Sequence, residues 1–139
     1  MVEQRHRRGV IDTSVVIDLA QIETADLPQE LAISAVTLAE LATGPHATTD
    51  AAERARRQDT LQRVEATFEP LPVDGAVARA YGRVYAAVAT AGRKARGRRA
   101  FDLLIAATAL AAELPVYTRN PDDFDGLDGL VELVAIPAG

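Results

Sequence analysis

The chain contains no cysteine and no tryptophan, a single lysine (Lys94), and only 4% aromatic residues. Without cysteine, disulfide frameworks, thiolate zinc sites and thiol nucleophiles are excluded. The cytoplasm is the simplest compartment for such a chain. With so few rings, a base-stacking platform for single strands is poorly supported. No apolar run approaches the roughly 20 residues that cross a bilayer, and the closest, Leu103 to Ala112, reaches about half of that. A cleaved leader also fails, because the basic start (Arg5, Arg7, Arg8) meets an apolar stretch already broken by Asp12 and Asp18. No membrane association is expected.

What is present is 139 residues, the size of one ordinary domain, and a single domain over 1–139 is expected. Hydrophobic residues make up 48% and charged residues 25%, enough to bury a core and to exclude disorder as the overall state. The formal net charge of −5 argues against a sequence-independent nucleic-acid coat protein. The basic residues are nevertheless clustered: Arg5/Arg7/Arg8, Arg54/Arg56/Arg57, and the run Arg93, Lys94, Arg96, Arg98, Arg99. A local basic edge can hold phosphates whatever the total charge.

Short β-like runs alternate with helical ones, the pattern of α/β architecture with parallel strands and right-handed helical crossovers. Strands are expected at 9–11, 116–118 and 133–136, with a short buried segment at 31–34 and a weaker strand candidate at 71–73 because of Pro72. Helices are expected at 13–20, 36–43, 50–68, 75–91 and 101–113. In the fourth of these, Val77, Tyr81, Val84 and Val88 recur at helical spacing and form a core or dimer stripe. The helix at 101–113 is apolar nearly all round and should be central, and the basic run before it reads as a loop.

Carboxylates stand where these elements end. Asp12 closes the first strand, Glu40 lies within the second helix, Asp102 opens the apolar helix, and Asp123 follows the strand at 116–118. Each has an ordinary structural use. Asp12 and Asp102 suit helix N-caps. Glu40 follows Thr37 by three, the capping-box spacing. Asp122 and Asp123 fit any turn. His6 and His46 lack partners at metal-ligand spacing and read as surface residues. In an open parallel sheet, however, ligands bind at the carboxyl ends of the strands. Two carboxylates about 5 Å apart repel by roughly 3 kcal/mol at an effective dielectric of 20. If Asp12, Glu40, Asp102 and Asp123 converge, a cation must accompany them. Coordination by oxygen alone selects a hard divalent ion, Mg²⁺ or Mn²⁺. Metal-assisted phosphodiester hydrolysis, with arginines holding the substrate backbone, is the chemistry this inventory suits.

These residues lie in four ordered segments: Val10-Ile-Asp12-Thr-Ser14-Val-Val-Ile-Asp18-Leu, Ser34-Ala-Val-Thr-Leu-Ala-Glu40-Leu, Phe101-Asp102-Leu-Leu-Ile-Ala-Ala-Thr108-Ala, and Thr118-Arg-Asn120-Pro-Asp-Asp123-Phe124. Together they resemble PIN-domain nucleases, and more narrowly the VapC toxins of bacterial VapBC toxin–antitoxin pairs. The resemblance spans essentially the whole chain. It implies a PIN-like three-layer α/β/α fold around a central parallel sheet of four to five short strands. It implies Mg²⁺- or Mn²⁺-dependent endoribonuclease activity on tRNA or rRNA that slows translation. It also implies a VapB-type antitoxin, a toxin homodimer and a toxin–antitoxin hetero-oligomer. Asp12, Glu40 and Asp102 take the positions of the acidic metal centre, with Asp12 and Asp102 contacting metal directly or through water and Glu40 orienting or deprotonating the attacking water or completing the shell. Ser14, Thr118 and Asn120 take supporting polar positions. Many members carry Asp at the place of Asn120, so the fourth ligand is either Asp123, or Asn120 acting as a neutral ligand or binding a ligand water. Arg93, Lys94, Arg96, Arg98 and Arg99 precede Asp102 and can reach RNA phosphates.

Two other strand–Asp chemistries fit less well. A haloacid-dehalogenase-type phosphatase needs a second Asp two residues on, where this chain has Ser14. A response-regulator receiver needs a late lysine, and the only lysine is Lys94. The alternative of another class is a catalytically silent PIN-like partner that binds its antitoxin and contributes to operator DNA binding and autoregulation.

Overall fold

The computed structural model describes residues 6–92 and 97–137. Arg93, Lys94 and Arg96 of the basic run, and the side chain of Arg98, lie outside what is described. Four strands form one sheet: β1 (Arg8–Ile11), β2 (Glu30–Ala32), β3 (Val116–Thr118) and β4 (Leu133–Ala135). Their order is β2-β1-β3-β4 and every pairing is parallel. Five helices connect and cover them: α1 (Thr13–Ile17), α2 (Ala35–Thr43), α3 (Ala51–Thr67), α4 (Gly75–Thr90) and α5 (Arg98–Ala112).

Alternation along each strand makes the three layers. Val10, Ala32 and Val116 face one side, where α4 and α5 supply Val84, Val88, Leu103 and Ile105. Ile11 and Tyr117 face the other, packed with Val15 and Val16 of α1, Leu41 of α2 and Val64 of α3. A parallel sheet covered on both faces needs apolar residues at successive positions, and Gly9-Val-Ile and Pro115-Val-Tyr supply them. Gly9 is required by contact: a β-carbon there would stand 2.7 Å from Cε1 of the Tyr117 ring on the neighbouring strand. Among the described residues, no helix is long and apolar enough to cross a membrane.

Several boundaries differ from the sequence reading, each for a local reason. The first helix ends at Ile17 rather than Ala20, and a 3₁₀ turn follows at Leu19–Gln21. The second strand ends at Ala32, and α2 starts one residue after Ser34, whose Oγ accepts the Val36 N–H at 3.0 Å. Thr37 is therefore inside the helix and does not form a capping box with Glu40. The candidate strand at 71–73 is reduced to a single bridge between Ser34 and Leu71, as expected where Pro72 removes a donor. The apolar helix begins at Arg98, not Phe101, after Gly97 takes φ 59°. Arg98 and Arg99 thus belong to its first turn, and Asp102 lies inside α5 rather than at its cap.

The sheet order places the crevice. From β1 the chain crosses to β2 on one side, whereas β3 leads to β4 on the other. The switch point is thus between the carboxyl ends of β1 and β3, where such sheets bind ligands.

Candidate active site

Asp12 sits at that switch point, directly after β1 and 4% exposed. Its backbone N–H donates to Tyr117 O on β3 at 3.1 Å. Its Oδ1 accepts from the Val15 N–H at 3.1 Å, so it does cap α1, and from Ser14 Oγ at 2.6 Å. Thr118, fully buried at the end of β3, also hydrogen-bonds the Asp12 carboxylate. The two hydroxyls are held alike: Ser14 Oγ accepts the Arg119 N–H at 3.3 Å and Thr118 Oγ1 accepts the Asn120 N–H at 3.0 Å. Burial raises the Asp12 carboxyl above its ordinary value; the bonds from Ser14, Thr118 and Val15 oppose this, and the charge of Asp123 adds to it. A cap alone needs no such burial. No cationic side chain among the described residues contributes to its environment.

Glu40, half-buried on α2, reaches back to α1. Thr13 Oγ1 donates to its Oε1 at 2.7 Å, and Thr13 Oγ1 also lies 3.0 Å from Thr37 Oγ1. Asp12 and Glu40 are therefore tied to consecutive residues of one turn. Asp102 is half-buried on α5, and its neighbour Phe101 lines a cleft of about 750 Å³ together with Thr13, Ile17, Glu40, Arg56 and Arg57. Asp123 is exposed in the 3₁₀ turn Pro121–Phe124, and its charge reaches Asp12. Asn120 is exposed; its N–H donates to Thr118 Oγ1 and its carbonyl accepts the Asp123 N–H at 3.0 Å. Arg99 donates from Nη1 to the Asp123 carbonyl at 3.2 Å, which docks the start of α5 on that turn.

The arginines of α3 are more than a solvated face. Arg54 bonds the carbonyls of Pro45 and Thr48, and Arg57 bonds the Gly44 carbonyl at 2.9 Å, stapling α3 to the turn after α2. Arg56 is held by Glu53 at 2.8 Å on the wall of the cleft. Sequence reasoning also missed Thr13, Thr37 and Arg119. Arg119 pairs with Asp18 at 2.9 Å, holding the end of α1 against the exit of β3. Thr13 was signalled only by lying between Asp12 and Ser14.

The donor set here is oxygen alone, which suits a hard cation. Among the described residues, no three His, Asp or Glu side chains gather closely enough to hold one ion by themselves. Mg²⁺ keeps several waters and is commonly held by one or two carboxylates plus substrate phosphate oxygens, so the arrangement fits it.

A family model described as PIN domain matches residues 9–130. Ribonuclease VapC5 of Mycobacterium tuberculosis is 42% identical over 133 residues, covering 92% of this chain and 95% of that protein. Ribonuclease VapC8 of the same organism is 40% identical over 102 residues, covering 73% of this chain and 89% of that protein. The crystal structure of VapBC-5 from M. tuberculosis, a member of the VapBC family of toxin–antitoxin systems, superposes with a TM-score of 0.80 at 43% identity. It covers 95% of this chain and 99% of the matched one. The parallel sheet, the acidic residue at its switch point and these likenesses agree: the chain belongs to the PIN-domain family, in its VapC branch.

Proposed function

We propose that this chain is a Mg²⁺- or Mn²⁺-dependent endoribonuclease, the toxin of a VapBC-type pair, acting in the cytoplasm on tRNA or rRNA to inhibit translation. The observation that carries this is the buried Asp12 carboxylate at the switch point, gripped by two hydroxyls and linked through Thr13 to Glu40 beside an open cleft. The relatives named ribonucleases, and the toxin–antitoxin complex of similar structure, support the reading.

Asp12 and Asp102 would hold the ion, with Asp123 or Asn120 completing its surroundings. When bound, a divalent cation supplies positive charge to the phosphodiester and makes a water more acidic. Ser14 and Thr118 keep the Asp12 carboxylate in one orientation. Glu40 accepts the proton of the attacking water as its oxygen bonds to phosphorus and the bond to the ribose oxygen breaks, that oxygen leaving as a hydroxyl with a proton from solvent. Arg99, in the first turn of α5, adds charge where the helix dipole already favours anions, and Arg93, Lys94, Arg96 and Arg98, its neighbours in sequence, are the further residues proposed to contact RNA phosphates. A VapB-type antitoxin and a toxin homodimer are the partners proposed.

The test is to map RNA 5′ ends in cells briefly expressing the chain or its Asp12→Asn variant. New ends at a few tRNA or rRNA positions, present only with the unaltered chain, are expected. Identical end profiles would favour the catalytically silent partner instead.

A further inference from the structure

Thr13 makes two side-chain contacts, to Glu40 Oε1 at 2.7 Å and to Thr37 Oγ1 at 3.0 Å. A hydroxyl carries one proton, and an ionised carboxylate only accepts. Thr13 is the donor in both contacts, so its single proton is drawn to the charged Glu40 oxygen at the shorter distance, with the Thr37 oxygen beside it as the competing acceptor. Thr37 is fully buried, and no buried side-chain polar atom among the described residues lacks a partner. Glutamate has three rotatable side-chain bonds, and on an open helix face it would sample many positions. Here one oxygen is pinned from below, by the residue that follows Asp12.

We propose that Thr13 is a positioning residue for Glu40, holding its carboxylate in one position on the wall of the cleft, next to the residue that carries the buried Asp12 carboxylate. This rests on the nuclease reading above. Thr13 does not touch substrate in this role. It acts by holding the base where the water attacks, and a displacement of about 1 Å at such a site can cost on the order of 100-fold in rate.

The test compares Thr13→Val, Thr13→Ser and the double variant Thr13→Val/Thr37→Val. Valine keeps the shape and removes the donor, serine restores it, and the double variant removes the stranded Thr37 hydroxyl in case the single one folds poorly. With Mg²⁺ and an RNA substrate, Thr13→Val and the double variant should lose about 10- to 100-fold in kcat with KM within about twofold, and Thr13→Ser should recover most of it. In a Glu40→Gln background, Thr13→Val should cost nothing further, since it acts only through Glu40. Independently of turnover, three-bond couplings of the Glu40 side chain in the metal-free protein should report one rotamer in the unaltered chain and averaging in Thr13→Val. Full kcat in Thr13→Val, a loss that serine does not repair, additive loss with Glu40→Gln, or an unchanged Glu40 rotamer would each overturn the role. An unaltered chain that cuts no RNA with either ion defeats the nuclease reading and this role with it. An active chain, an inactive Glu40→Gln and a fully active Thr13→Val defeat the role alone.

Discussion

Replacing Asp12 by Asn separates the stability of the site from its function. Asn keeps an oxygen for the Val15 N–H and Ser14 Oγ, so the cap survives. It removes a charge whose burial is the largest influence on that group. The charge-assisted part of the hydroxyl bonds is lost, about 1 kcal/mol each. Against this, the burial of a lone carboxylate costs several kcal/mol. The balance favours Asn by on the order of 1 kcal/mol, and a domain of this size gains about 3 °C in Tm per kcal/mol. The sign with pH follows from the raised Asp12 carboxyl. Folded protein binds this proton more tightly than the unfolded chain, whose value is 3.8. Stability is therefore lost as pH rises from that value through the folded one, and recovered on acidification. Metal-free Asp12→Asn should thus melt about 3 °C above the unaltered chain at neutral pH, and the gap should close in acid. Added Mg²⁺ at ten times its dissociation constant contributes RT ln 11, about 1.4 kcal/mol or 4 °C, to the unaltered chain and little to Asn, reversing the order. Differential scanning fluorimetry with and without chelator measures this. An Asn variant that is less stable without metal at neutral pH would refute the burial argument.

Gly9→Ala forces a β-carbon to 2.7 Å from the buried Tyr117 ring and should lower Tm by about 3–10 °C, read by thermal melting. Ser34→Ala removes both the α2 cap and the partner of Thr108 Oγ1 at 3.1 Å, and an urea titration should show a loss of about 1–3 kcal/mol. Changing Arg93, Lys94, Arg96, Arg98 and Arg99 to Gln should weaken RNA binding and flatten its salt dependence by about 0.7 per lost phosphate contact, measured by filter binding; an unchanged slope would place these residues away from the RNA.

The fold was legible wherever local pattern and tertiary demand coincide. Val10-Ile11 before Asp12, and Val116-Tyr117 before Thr118, announce buried parallel strands, and of the α4 stripe Val77, Val84 and Val88 are buried as its spacing implies while Tyr81 is half-buried. Boundaries failed where two local signals competed. Thr37 with Glu40 imitates a cap, but Ser34 takes that place because its hydroxyl can serve both Val36 and Thr108. The charge run before Phe101 imitates a loop, yet helix begins at Arg98 once Gly97 turns the chain. The supporting bonds of the site were not legible at all. Thr13 to Glu40 and Arg119 to Asp18 join distant parts of the chain, and no local periodicity encodes them.

Cleavage of a defined RNA by the purified chain, with Mg²⁺, with excess chelator, and in the Asp12→Asn and Asp102→Asn variants, tests the account most directly. Cutting that requires the ion and both carboxylates, in variants that still melt cooperatively, is the expected result. Cutting that persists in chelator, or in a folded Asp12→Asn chain, would contradict it.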